Sequence, residues 1–169
     1  MTETLKQKAL SILTSKLGQK ETGRNTGPIV EWAMAHFSKV KPDKSGWAEW
    51  CAASVCTSYL EAGSKQMEEV GTTAVPTLFR RLDAKRQIYY TPPSSRIPEP
   101  GDLVFFRNHL GTFYHVGLVE SYSFDPKAKI HTLTTIEGNS NDKVERSTYT
   151  YNEVFSHSRP WYAFGTIGE

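Results

Sequence analysis

Cysteine is scarce in this chain. Two cysteines in 169 residues cannot build the disulfide framework that staples small secreted domains. Cys51 and Cys56 stand five positions apart. On a helix that spacing turns the two thiols roughly 140° from one another and leaves their Cα atoms too distant for a bridge. Two free thiols and synthesis in a reducing compartment are therefore expected. A dominant charge is missing too. Twenty Lys and Arg against 18 Asp and Glu leave a net charge of +2, an excess too small to point to nucleic acid. The local run Arg80, Arg81, Lys85 and Arg86 reads as the solvated face of a helix. No apolar stretch approaches the length of a membrane span. The first 20 residues are charged and amphipathic, without the apolar core or cleavage site of a Sec signal. Repeats and low-complexity tracts are also absent, so one domain over residues 1–169 is expected.

Apolar residues make up 38% of the chain and aromatics 12%, enough buried surface to offset chain entropy. Leu5, Ala9, Ile12, Leu13 and Leu17 recur at helical spacing before Gly18. Pro28 suits the first position of a second helix, along which Val30, Ala33, Met34 and Phe37 mark one face. A third helix runs from about Trp50 to Leu60, ended by Gly63, and Pro76 opens a short fourth with Leu78, Phe79 and Leu82. The proline-rich segment 91–101 excludes regular structure. Beyond it, Leu103–Phe106, His115–Val119, Ile130–Ile136 and Trp161–Ile167 are β-rich runs separated by turn residues. Helices first and strands second predict an α+β domain, with N-terminal helices packed on a mainly antiparallel sheet.

Trp50-Cys51-Ala52-Ala53 sets a cysteine in the opening turn of the third helix. A thiol attacks only as thiolate, and an ordinary cysteine of pKa ~8.5 is ionised by a few per cent near neutrality. Unpaired N–H groups and the positive end of the helix dipole favour the anion. The same N–H groups can hold an oxyanion. Taken alone, a free cysteine is most often a core residue, and that is the role assigned to Cys56. His115 opens the strand His-Val-Gly-Leu-Val. There an imidazole can accept the thiol proton, or pair with the thiolate, and later protonate a leaving amine. Glu137 and Asn139, two apart at the end of the next strand, face one side of an extended chain. Either could fix the imidazole's tautomer, while Gly138 leaves room for close backbone approach. Trp47, Trp50 and Tyr114 flank the cleft implied by these residues, and serve either as substrate-binding walls or as core aromatics. His109 is the substitute base; His36, His131 and His157 have no partner signal. Asp102, in Pro-Gly-Asp before a strand, is turn chemistry. Neither the cysteines nor the scattered histidines form a zinc-ligand pattern.

Five pieces in order resemble the CHAP domain, the cysteine- and histidine-dependent amidohydrolase/peptidase module. They are Asn25-Thr-Gly-Pro28, Trp50-Cys-Ala-Ala53, Pro98-Glu-Pro-Gly-Asp-Leu-Val-Phe-Phe106, His115-Val-Gly-Leu-Val-Glu120 and Ile136-Glu-Gly-Asn139, which together span most of the chain. The resemblance implies a papain-like fold and hydrolysis of amide bonds in peptidoglycan, by an N-acetylmuramoyl-L-alanine amidase or an endopeptidase that forms a thioester. It maps the nucleophile to Cys51, the base to His115, and the orienting acid and amide to Glu137 and Asn139. No cofactor is implied. Some relatives bind calcium through acidic residues upstream of the cysteine, where this chain has only Asp43 and Glu49, too few ligands for that ion. The implied setting is synthesis in the cytoplasm and action at the cell wall or periplasm, as a lytic enzyme or as a delivered antibacterial toxin with an immunity protein as partner. The alternatives are a protease, deamidase or transamidase acting on a protein, and a binding module without turnover.

Overall fold

Local chemistry sets the helices. The chain's computed structural model describes residues 2–41, 49–90, 96–152 and 163–168. Helix α1 (Leu5–Thr14) opens on a capping box, with Thr4 and Gln7 each bonding the other's backbone N–H. It ends earlier than the periodicity predicts, although Leu17 still packs on the core from the turn that follows. Helix α2 (Pro28–Met34) starts on its proline. Helix α3 (Cys51–Glu61) starts on the cysteine. Two short helices follow. The first, α4 (Lys65–Val70), is capped by Ser64 and was not foreseen from the sequence; the second, α5 (Val75–Ala84), contains Pro76 in its first turn.

Six strands then form one antiparallel sheet: β1 (Ile88–Tyr89), β2 (Leu103–Arg107), β3 (Phe113–Asp125), β4 (Ile130–Ser140), β5 (Lys143–Asn152) and β6 (Ala163–Gly165). Their order is β1-β6-β2-β3-β4-β5. The fold is therefore α+β. Strand β5 is the largest departure from the sequence reading. Its run Lys-Val-Glu-Arg-Ser-Thr-Tyr-Thr-Tyr lacks an apolar stretch, but Thr and Tyr suit a half-wet strand lying at the end of the sheet. Within the expected strand 161–167, Trp161 and Tyr162 lie outside the described residues, and β6 occupies Ala163–Gly165.

Alternation divides the sheet's side chains into two sets. Leu103, Phe105, Val116, Leu118 and Ile136 join the helices in the larger core, while Val104, Phe106, Val119, Leu133 and Phe164 form a second cluster flanked by tyrosines. Helix α3 lies at the centre, packed against α1, α2, β3 and β4, and every residue from Cys51 to Tyr59 is buried. Small side chains permit that burial, and the hydroxyls are satisfied at carbonyls. Ser54 donates to Cys51 O (2.7 Å), Thr57 to Ala33 O (2.7 Å) and Ser58 to Val55 O (2.8 Å). Asp102 anchors the helices to the sheet. Wholly buried, it pairs with Lys6 (2.7 Å), accepts from the Tyr89 hydroxyl (2.6 Å) and accepts from Glu99 N (3.0 Å). Among the described residues, no helix is long and apolar enough to cross a membrane.

Candidate active site

Trp50 ends the approach to α3 with no side chain capping the helix start among the described residues. The N–H groups of the first turn are thus left for another acceptor. The Trp50 indole is wholly buried and donates to Glu21 Oε1 (2.5 Å), whose other oxygen accepts from Asn25 N (2.7 Å). The loop carrying Asn25-Thr-Gly-Pro28 therefore braces the beginning of α3. Of the two roles open to Trp50, its burial matches the core aromatic. Trp47 lies outside the described residues, as does Asp43.

Cys51, at the first position of α3, is 2% exposed, and its side chain comes close enough to the His115 imidazole on β3 to favour the protonated ring. The other side of the imidazole is occupied: His115 Nε2 donates to Glu137 Oε2 at 2.7 Å. With an ionised carboxylate as acceptor, that bond puts a proton on Nε2 and leaves Nδ1 as the nitrogen not engaged by Glu137. Burial works against a charged imidazole here, but hydrogen bonds and charge from Cys51 and Glu137 outweigh it and push His115 up to about 9. The Phe106 ring, 5.3 Å from the imidazole, walls it on the β2 side, and the half-exposed Tyr114 ring stacks at 6.2 Å.

Two glycines make this convergence sterically possible. A Cβ at Gly117 would sit 2.7 Å from Glu137 Cγ, so the missing side chain is the space through which Glu137 reaches His115. A Cβ at Gly138 would lie 2.7 Å from Ser54 Cβ and 3.1 Å from Trp50 Cζ3. The end of β4 therefore touches the first turn of α3 directly.

Glu137 and Asn139 part company. The alternation expected through 137–139 is interrupted by an irregularity in the β4–β5 pairing, and Asn139 adopts a left-handed backbone with φ 56°. Its amide donates to Glu49 Oε2 (2.5 Å), whereas the Glu137 carboxylate is directed at His115. Glu137 is 1% exposed. Its Oε1 accepts from the Thr135 hydroxyl (2.5 Å) and from the Tyr149 hydroxyl (2.8 Å). The sequence reading missed Thr135, Tyr149 and Gly117. Tyr149 lies on the strand that went unrecognised, and the other two carry no signal apart from their neighbours.

The remaining candidates fall elsewhere. Cys56 is buried deeper in α3, its thiol donating to Thr72 O (3.4 Å) and pushed up to about 12 by burial. His109 and His36 are exposed, and His157 lies outside the described residues. His131 is buried between the Tyr151 and Phe124 rings, 4.3 and 4.5 Å away, with Nδ1 bonded to the Tyr122 hydroxyl. Among the described residues no group of three or more His, Cys, Asp or Glu is arranged to hold a metal ion. Beside the start of α3, a polar cleft of about 560 Å³ opens between the loop at Lys20–Asn25 and the β4–β5 turn, lined by Arg24, Glu49, Asn139 and Asp142 among others.

Comparison with known proteins finds no matching family model, no matching curated protein and no matching solved structure.

Proposed function

We propose that this chain is a cysteine-dependent amide hydrolase of papain-like design, and that its substrate is peptidoglycan. One observation carries the chemistry: a thiol at a helix start lies beside an imidazole, and a buried carboxylate is hydrogen-bonded to that imidazole. Nucleophile, base and orienting group are the three roles that acyl transfer needs. Peptidoglycan as the substrate rests on the resemblance to CHAP domains. The polar cleft lined by Glu49 and Asn139, two residues before Cys51 and two after Glu137 in sequence, is compatible with it, since glycan and stem peptide both carry many hydrogen-bonding groups.

His115 as imidazolium keeps Cys51 as thiolate, which attacks the amide carbonyl and forms a C–S bond. N–H groups of the first turn of α3 hold the oxyanion. As the tetrahedral intermediate collapses, the C–N bond breaks, and the His115 proton passes to the departing amine. Water then attacks the thioester, giving one proton to His115, and as the C–S bond breaks the carboxylic acid leaves and the thiolate–imidazolium pair is restored. Glu137 keeps the Nε2 proton in place throughout, so that Nδ1 is the atom that exchanges protons.

Digestion of purified peptidoglycan, followed by mass analysis of the fragments, tests this reading. The expected result is new amine and carboxyl termini at one bond type, absent with Cys51→Ala and with His115→Ala. Fragments released equally by Cys51→Ala overturn the mechanism. Cleavage of protein substrates with peptidoglycan left intact overturns the substrate but keeps the chemistry.

A further inference from the structure

The cleft of about 560 Å³ at the start of α3 is lined by charges of both signs, and only some of them are engaged by the fold. Glu21 is engaged at both oxygens, by the Trp50 indole and by Asn25 N. Glu49 accepts from the Asn139 amide at Oε2. The side chains of Lys20, Arg24 and Asp142 have no hydrogen bond or ion pair to another of the described residues. Backbone bonds fix where these three stand. Thr22 N donates to Thr26 O (3.0 Å) and Thr26 N to Gly23 O (3.1 Å), closing a tight turn around Arg24. Glu21 N donates to Asp142 O (2.9 Å), tying that loop to the turn between β4 and β5. The walls are thus set before a ligand arrives, which lowers the cost of binding one.

We infer that this cleft is a subsite for an amino-acid zwitterion carried by the wall peptide, with Arg24 and Lys20 taking its carboxylate and Asp142 and Glu49 its ammonium. Such a group, one carbon bearing both charges, stands at the uncrosslinked end of a diamino-acid side chain in a stem peptide. The inference rests on the reading of peptidoglycan as the substrate. Charge complementarity selects the ligand class. A plain anion is repelled by Asp142 and Glu49, and a plain cation by Lys20 and Arg24, whereas a group with one charge of each sign satisfies both pairs. The Arg24 guanidinium can grip a carboxylate through two parallel N–H bonds. Glu49 precedes Cys51 by two residues, so their Cα atoms lie at most ~7 Å apart. Its bond to Asn139 joins the same wall to the strand end that carries Glu137. A zwitterion held there sits near the start of α3, and the bond attacked is one close to the diamino acid.

Calorimetric titration of the full chain carrying Cys51→Ala, which binds without turnover, tests this. The probes are the tripeptide L-alanyl-γ-D-glutamyl-meso-diaminopimelate and two derivatives of its side-chain end, one with the carboxylate amidated and one with the amine acetylated. Each derivative is expected to bind about ten-fold more weakly than the parent. Adding Lys20→Gln and Arg24→Gln together should abolish the penalty for amidation and leave the penalty for acetylation. Adding Asp142→Asn, which suits the left-handed backbone at that position (φ 61°), should shrink the penalty for acetylation and leave that for amidation. Equal binding of all three peptides overturns the inference, and this comparison needs no variant beyond Cys51→Ala. Penalties that the cleft substitutions leave unmoved place the zwitterion elsewhere and overturn it too. Peptidoglycan cut by the wild type without discrimination among the peptides sinks the subsite and leaves the hydrolase. Discrimination among the peptides with peptidoglycan left uncut by the wild type sinks the hydrolase and leaves the subsite.

Discussion

Replacing Gly138 by alanine adds one methyl group where the sheet meets the first turn of α3. Built on the existing backbone, that carbon lies against the Ser54 hydroxyl, 2.7 Å from Ser54 Cβ and 3.1 Å from Trp50 Cζ3. Separations under 3.0 Å are not sustained between real atoms, so β4 and α3 must part by roughly 1 Å, one van der Waals adjustment. Gly138 does not use the left-handed backbone region, which makes the penalty steric and not conformational. Overpacking of this kind costs about 1–3 kcal/mol. The chemical effect should exceed the stability effect. Glu137 precedes the glycine and Cys51 begins the helix it strikes, so the displacement opens the Cys51–His115–Glu137 set, and a misplacement of ~1 Å costs about 100-fold in rate. Urea denaturation gives the first quantity, and turnover together with Cys51 alkylation gives the second. Ser54→Gly removes both serine atoms that the methyl would strike. Gly138→Ala should therefore cost at least ~1 kcal/mol less in that background than in wild type, a coupling that a double-mutant cycle reads directly. Unchanged denaturation and alkylation in Gly138→Ala, or no coupling to Ser54, would falsify the packing argument.

Other consequences follow from the same contacts. Because His115 holds its proton up to about 9, turnover should fall as pH rises through that value, where the proton needed by the leaving amine is lost; a descending limb near the ordinary histidine pKa of about 6.5 contradicts this. Brief alkylation of the native protein should label Cys51 alone, since burial pushes the Cys56 thiol up to about 12; mass analysis should find one adduct when folded and two when unfolded. Cys56→Ala should keep most activity and lose about 1–2 kcal/mol of stability through the small cavity it leaves. Asp102→Ala leaves Lys6 with Glu99 alone as its carboxylate partner and takes the acceptor from the Tyr89 hydroxyl and Glu99 N, and should cost about 1–3 kcal/mol; Cys51 alkylation in the folded variant should be unaffected, because Asp102 pairs with Lys6, Tyr89, Glu99 and Arg96 and not with Cys51, His115 or Glu137.

Much of the architecture is legible in the chain. Helical spacing marks α1, α2, α3 and α5, β-rich runs mark β2, β3 and β4, and the switch from one to the other at the proline-rich segment gives the α+β class. The pairing of Cys51 with His115 is legible for a different reason: a thiol in a helix's first turn and an imidazole at a strand's start are each placed by local structure. Only the packing of α3 on β3 is then needed to bring them together. Elements without a hydrophobic signature are lost. Helix α4 is one and a half turns long with two buried side chains, Met67 and Val70, and β5 lies at the sheet's end where one apolar face is not required.

The division of labour between Glu137 and Asn139 shows why the rest was hidden. An extended strand has a strict period of two, so the chain by itself sends both side chains the same way. What separates them is the irregular pairing between β4 and β5 and the left-handed turn through Asn139, Asn141 and Asp142. Both are properties of a hairpin whose second strand has no apolar run to announce it. The same hairpin sets Ser147 opposite Thr135 and Tyr149 opposite Leu133, and from that register the Tyr149 hydroxyl reaches diagonally to Glu137 Oε1. A shift of one residue would send Tyr149 to the other face and leave the buried carboxylate short of a donor. The shell that holds Glu137 is thus encoded in strand register, which depends on the β4–β5 turn, while the placement of Cys51 and His115 is encoded in helix and strand starts. Inserting one residue in the turn at Asn141-Asp142 should accordingly loosen the His115–Glu137 bond, read from the His115 Nε2–H proton resonance, more than it slows Cys51 alkylation.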